Sequence, residues 1–395
     1  MSTTAFSVWY DEHDQQVHLK GALQPVGPGP ETRAVEEAIS RGAASPGKVL
    51  YIAAKRLTAL NTMGLQMLAC TLQKVARENP GKKFRVVTTS VIPWSYPRLA
   101  PLQQLHENIL VETYDQDFYP GQSLFEDGAF VSALRAQTKM TWRHEKSLVE
   151  GILKPGAAVA DICCGIGDFA MHLKKTFSPG RLVAVDHAKR SLDYARAMAE
   201  EFGVDGIEFQ VGDAASLLLP DDTFDVVFCR HSLQVFDRPM EILSEIVRIC
   251  KPGGTVYVTN EKNSHCLGEP FGESIQWTYN QVALIWAHFK MDIELGPKQK
   301  AMMMASGLQD VRNVQFVVST EDDGGHPRVR EEFAEVIRSW EESYCRWASK
   351  KGSDGNYLDR LRQGFRDHQQ AILRPNGYAT WPVWAGIGKK PQRGT

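Results

Sequence analysis

Between Phe6 and Tyr114, short apolar or alternating runs trade places with amphipathic ones. FSVWY, VHLKGAL, KVLYIAA, KFRVVTT and ILVETY read as strands, and the stretches near Thr32 to Arg41 and from Asn61 to Glu78 read as helices. In the second helix Leu65, Met67, Leu68, Leu72 and Val75 recur at near-helical spacing, which gives one face apolar enough to cover a sheet. The pattern predicts a small α/β unit over residues 1–115. A polar connector containing YPGQS follows, and residues 116–141 carry it into a helix near Ala133 to Leu153.

Beyond Lys154-Pro155-Gly156 a second alternation begins. AAVADICCGIGDFAMHL runs from an apolar strand through a glycine-rich turn into a helix. Gly165 and Gly167 let the backbone approach a ligand, and the helix start offers free N–H groups. RLVAVDHAKRSLDYARAMAEEFG supplies a second strand ending in Asp186, about 20 residues past the turn, where a carboxylate can accept both hydroxyls of a ribose. IEFQVGDAASLLLPDDTFDVVFCRHSLQVF places Asp213 after a third strand and contains a fourth, from Asp225 to Cys229. A helix from Pro239 to Cys250 and the turn KPGG precede a fifth strand, TVYVTN; DVRNVQFVVST and TWPVWAGIGKK read as the sixth and last.

Composition narrows the function classes. The 395 residues exceed one ordinary domain, and 45 Lys plus Arg against 47 Asp plus Glu leave no field that would gather polyanions, so nucleic acid is not an expected partner. The seven cysteines form no CxxC pair, there is no HExxH, and Asp221-Asp222 and Asp322-Asp323 read as loop acids, so no metal is expected. The start lacks a basic region followed by an apolar one, and no run reaches ~18 apolar residues. The expectation is a reduced, cytoplasmic protein with no membrane partner.

The series from Trp142 to the C-terminus resembles the class I S-adenosylmethionine-dependent methyltransferases, a Rossmann-like doubly wound α/β fold. The resemblance implies S-adenosylmethionine as cofactor and S-adenosylhomocysteine as product. It gives Asp161 the placing of the methionine part or of the loop, Gly165 and Gly167 the packing, Asp186 the ribose, and Asp213 with Ala214 the adenine. His187, Arg230 and Cys163 complete the implied cofactor set. Cys163 stands where the family usually carries the first glycine, which predicts a slight loop displacement and a packing cost. A nicotinamide-binding domain would ask for a third glycine where Ala170 is the nearest small residue.

Ligands of a doubly wound sheet bind at the carboxyl ends of the strands, so loops on that side choose the substrate. Two are enlarged, at about 261–298 and 321–377, and read as a helical lid. The first carries Trp277, Tyr279, Trp286 and His288, candidate walls of a pocket for a small organic acceptor. The second reads as two amphipathic helices that close the pocket or make a dimer contact, with Arg328 and Arg330 on a solvated face. Methyl transfer is an in-line displacement that needs a base only when the acceptor carries a proton. His231, after the fourth strand, is the leading candidate for that base, with His265 and Glu261 next. Transfer to oxygen, nitrogen or carbon stays open, as do an intramolecular displacement releasing methylthioadenosine and a regulatory protein that senses the cofactor without turnover.

The segment LTALNTMGLQML resembles the turn of the STAS (anti-sigma-factor antagonist-like) domain, in which a strand meets an Asp-Ser-Ser-Gly-Leu helix start. Thr62, Gly64 and Leu65 fit, while Asn61 replaces the acid and Met63 the second hydroxyl residue. Thr62 is expected to cap the helix with its hydroxyl rather than to accept a phosphate. The unit is then a dimerisation, partner-binding or substrate-positioning module.

Overall fold

In the first segment, strand periodicity decides what is buried. The computed structural model describes residues 6–11, 16–45, 49–88, 92–113, 128–262, 267–270 and 272–392, and it divides into residues 1–118 with 211–218, and 119–210 with 219–395. The first unit runs β1 (Ser7–Asp11), β2 (Gln16–Leu23), α1 (Pro30–Ala43), β3 (Val49–Leu60), α2 (Thr62–Glu78), β4 (Lys83–Thr88), α3 (Ser95–Leu99) and β5 (Ile109–Thr113). Along β2 every second residue, Val17, Leu19, Gly21 and Leu23, is buried. The sheet order is β1-β2-β3-β4-β5, antiparallel between β1 and β2 and parallel elsewhere. Leu68, Leu72 and Val75 of α2 join Val35 and Ile39 of α1 in a core with Leu50, Ile52 and Phe84.

Thr62 does not cap α2. Asn61 does, accepting the Gly64 N–H at 2.8 Å while its amide donates to Pro25 O at 2.8 Å, and Thr62 sits exposed in the first turn. The amide side chain one residue earlier already has the extended backbone a cap needs.

The second unit begins with α4 (Gly128–Glu150). It continues through β6 (Ala158–Ile162), α5 (Asp168–Phe177), β7 (Arg181–Asp186), α6 (Lys189–Glu201), β8 (Glu208–Val211, of which the last residue is counted with the first unit), β9 (Phe224–Arg230), α7 (Pro239–Ile249) and β10 (Cys250–Glu261). Then come β11 (Leu267–Glu269), α8 (Glu273–His288), α9 (Leu295–Ala305), β12 (Gln309–Ser319), the short α10 (Asp322–Gly325), α11 (Pro327–Lys350), α12 (Gly355–Leu373) and β13 (Tyr378–Lys389). The sheet order is β11-β13-β10-β9-β6-β7-β8 with β12 against β13. The central strands β7, β6, β9 and β10 are parallel, and β13 runs antiparallel to β10 and β12. Helices cover the central strands, which explains their nearly continuous apolar sequences: Val159, Leu182, Ala184, Val226 and Phe228 share one core with Phe169 and Leu173 of α5. KPGG is not a separate turn: it lies in β10 where the pairing with β9 shifts register, and Gly253 takes φ +76° there.

Above the strand ends, α11 packs on α4 and α12, and α12 on α8. Among the described residues no helix is long and apolar enough to cross a membrane.

Candidate active site

The chain leaves β6 at Ile162 and turns through Cys163 to Gly167 into α5. Cys163, Gly165 and Gly167 have φ of +61°, +56° and +76°. Cys163 therefore adopts the left-handed backbone that glycine takes without penalty, at a strain of about 1–2 kcal/mol. A Cβ on Gly167 would lie 2.9 Å from Ala195 Cβ and from a Phe209 ring atom, so close packing requires that glycine. A Cβ on Gly165 would meet nothing within 4 Å, because the loop there faces open space. The Gly165 N–H donates to Asp186 Oδ2 at 2.8 Å and the Ala188 N–H to Asp186 Oδ1 at 2.9 Å, tying the turn to the end of β7. Burial raises the Asp186 carboxyl above its usual range against the pull of those two donors.

Asp161 is 2% exposed, and its Oδ2 has no hydrogen-bond partner among the described residues. Burial pushes its carboxyl up to about 7, with the Arg230 charge opposing. Arg230 is committed elsewhere: Nε donates to Glu145 Oε1 at 2.9 Å, Nη2 to Thr141 Oγ1 at 2.7 Å and to Glu145 Oε2, and the guanidinium lies 4.1 Å from the Phe169 ring centroid. Tyr257 donates to Glu145 Oε1 at 3.0 Å. Burial alone would raise Glu145, but the Arg230 charge and hydrogen bonds hold it below the usual carboxylate range. The network pins α4 to the end of β9 and to Tyr257 within β10.

At the end of β9, His231 has φ +51°, a conformation uncommon outside glycine and frequent at functional positions. Its backbone N–H donates to Thr259 O at 2.8 Å, and its Nδ1 lies 2.8 Å from Glu261 Oε1. Glu261, at the end of β10, is fixed in turn by Gln234, whose side chain accepts the Glu261 N–H at 2.8 Å. His231 Nε2 is buried with no hydrogen-bond partner among the described residues.

Asp161, Cys163, Gly165, Asp186, Arg230, His231 and Glu261 line one cavity of about 190 Å³. Its far side is formed by Gln137 and Thr138 of α4, Trp286 of α8, and Trp340, Tyr344 and Trp347 of α11. Of the aromatic candidates read from the sequence, only Trp286 lines this cavity. Trp277 packs with Tyr357 and lies 4.1 Å from the Arg360 guanidinium, and the Tyr279 hydroxyl meets His368 Nδ1 at 2.8 Å. His288 is exposed against Phe289. His187 is half-buried after Asp186, Asp213 accepts the Ala215 N–H at 2.8 Å, Ala214 is buried, and His265 lies outside the described residues. Arg328 pairs with Glu332 at 3.4 Å and Arg330 with Glu321 at 3.5 Å. Among the described residues no group of three or more His, Cys, Asp and Glu is placed to hold a metal ion.

The sequence reading missed Glu145, Gln137 and the α11 rings. Trp340, Tyr344 and Trp347 stand at i, i+4 and i+7 in SWEESYCRW, a spacing that marks a single helix face.

The profile of the family described as "Methyltransferase domain" matches residues 160–258, the segment holding the turn, Asp186 and His231. The chain carries a class I S-adenosylmethionine-dependent methyltransferase domain. It is 30% identical over 126 residues to a demethylmenaquinone methyltransferase of Bacillus cytotoxicus, covering 32% of this chain and 53% of that protein. A second such enzyme, from Lactococcus lactis, is 34% identical over 116 residues, covering 29% and 46%. The chain thus spans about half the length of the curated relatives it matches. Among solved structures, a phosphoethanolamine N-methyltransferase 2 of Haemonchus contortus with S-adenosyl-L-methionine is 17% identical, covering 87% of this chain and 85% of that one at a TM-score of 0.44.

Proposed function

We propose that this chain transfers the methyl group of S-adenosylmethionine to a small organic molecule, with His231 as general base and Glu261 as its positioning partner. The observation that carries the reading is His231 Nε2, an unpartnered imidazole nitrogen buried in the cavity that also holds Asp161, Asp186 and the glycine turn. Those residues fit the cofactor: Gly165 leaves room beside it, Asp161 Oδ2 is an acceptor without a donor, and each Asp186 oxygen keeps a lone pair beyond its backbone bond. The bound sulfonium supplies an electrophilic methyl group. Asp186 then holds the ribose hydroxyls and Asp161 the ammonium, while Cys163 and Gly167 keep the turn in shape. Glu261 sets the His231 tautomer, leaving Nε2 bare to receive a proton, and stabilises the imidazolium that results.

The N-terminal unit is read as STAS-like; β3 ending at Leu60 and α2 opening at Thr62 support it. The test of the enzymatic reading is incubation of the purified chain with S-adenosylmethionine and a pool of small acceptors, followed by mass spectrometry. Release of S-adenosylhomocysteine together with an acceptor one methyl group heavier supports it. Methylthioadenosine, or cofactor-bound protein that never turns over, contradicts it.

A further inference from the structure

We infer that the acceptor is a flat, uncharged hydroxyarene methylated on its hydroxyl oxygen, because the acceptor side of the cavity offers ring faces and one bare imidazole nitrogen and no uncommitted cation. The inference rests on the methyl-transfer reading. Trp286, Trp340, Tyr344 and Trp347 supply the walls. Trp286 donates its indole N–H to the Tyr344 hydroxyl at 2.8 Å, and the ring centroids of Trp286 and Trp347 lie 6.3 Å apart, edge to face. The indole is thus held by its polar edge. Such walls favour a planar apolar guest.

Charge excludes the anionic alternatives. Among the described lining residues Arg230 is the one Lys or Arg, and it is engaged by Glu145 and Thr141. A phosphate or carboxylate on the acceptor would find no counter-charge from the described lining residues, an expensive burial. An ammonium would find ring faces and the second oxygen of Glu261, but its nitrogen has no lone pair with which to take a methyl group until it has lost a proton. Beside the glycine turn Asp161 Oδ2 and Asp168 Oδ2 lack a hydrogen-bond partner among the described residues, and next to Glu261 it is His231 Nε2, a nitrogen that accepts a proton donor. A phenolic O–H is a neutral donor with a proton acidic enough for imidazole to remove in a concerted step.

In that step the phenolic oxygen gives an electron pair to the methyl carbon, and the carbon–sulfur bond breaks with its pair going to sulfur, which becomes a neutral thioether. The phenolic proton passes to His231 Nε2 and from there to solvent.

The experiment uses the whole chain, first saturated with S-adenosylhomocysteine by calorimetry. That stage separates failure of the cofactor reading, seen as no saturation, from failure of the acceptor class. Phenol, 2-naphthol and 2-hydroxyanthracene are then titrated against 2-naphthoate and 2-(2-naphthyl)ethylammonium, following tryptophan fluorescence and the absorption of the naphthol. The hydroxyarenes are expected to bind at least tenfold tighter than either ion and, with S-adenosylmethionine, to give the aryl methyl ether. His231→Gln is expected to lower kcat about 100- to 1000-fold with naphthol affinity changed less than about threefold. Equal or tighter binding of the carboxylate or the ammonium, no binding of any hydroxyarene, methyl transfer to a ring carbon, or full kcat in His231→Gln overturns the inference.

Discussion

The two ends of the cavity are built on opposite principles. At the glycine turn, the buried Asp161 carboxyl has an oxygen without a donor, the buried Asp186 carboxyl accepts two backbone N–H groups with lone pairs to spare, and the scaffold is the tip of a parallel sheet. At the helical end, rings from α8 and α11 face a single imidazole, and the scaffold is three helices drawn from distant parts of the chain. One end is polar and tied to strand ends; the other is apolar and tied to helix packing. On the proposed reading the polar end takes the cofactor and the apolar end the acceptor, with α4 joined to both through Glu145 and Arg230.

The comparison breaks most readily at Asp161. Its carboxyl is raised from the ordinary 3.8 to about 7, so the protonated form contributes stability that is fully present below about pH 4 and lost as pH rises through about 7. Asp161→Asn is expected to match the wild type at pH 4, then exceed it by about 2–4 kcal/mol at pH 8 in denaturant titrations, since each tenfold change in proton affinity is worth about 1.4 kcal/mol. Parallel curves at both pH values would remove the ionisable character assigned to this end.

A middle-sized effect belongs to the junction between the ends. Glu261→Gln keeps an oxygen near His231 but removes the charge that stabilises an imidazolium, and kcat is expected to fall about 10- to 50-fold with KM little changed. A rise in KM at constant kcat would make Glu261 a binding residue. The smallest effect is expected at the apolar end: Trp340→Ala should raise acceptor KM about five- to tenfold and leave S-adenosylhomocysteine affinity within about twofold, read by calorimetry beside kinetics. Equal losses for both ligands would show that the two ends are not separable.

The same division governs what the sequence makes legible. The turn, Asp161 and Asp186 are readable because strand, glycine turn and acid are close along the chain, and backbone geometry fixes their spacing. The helical end is not, because its contacts join residues far apart: Arg230 to Glu145 across 85 positions, Trp286 to Tyr344 across 58. Periodicity places an aromatic residue on a helix but not that helix face on the cavity, which is why Trp277 and Tyr279 pack against α12 while Trp286 lines the site. His231 and Glu261 are both readable as candidates, but not their pairing at 2.8 Å, which needs the ends of β9 and β10 side by side. In the N-terminal unit the helix start is legible and its capping atom is off by one residue, because Asn61 and Thr62 are both competent caps and only the backbone decides between them.

The most direct test of the central claim is calorimetric titration of the purified chain with S-adenosylmethionine and S-adenosylhomocysteine, repeated with Asp186→Asn after circular dichroism confirms its fold. The account predicts micromolar binding of both by the wild type and a loss of at least about tenfold in the variant, whose amide no longer offers two anionic acceptors to a ribose. A well-folded wild type that binds neither, or a variant that binds both unchanged, would contradict it.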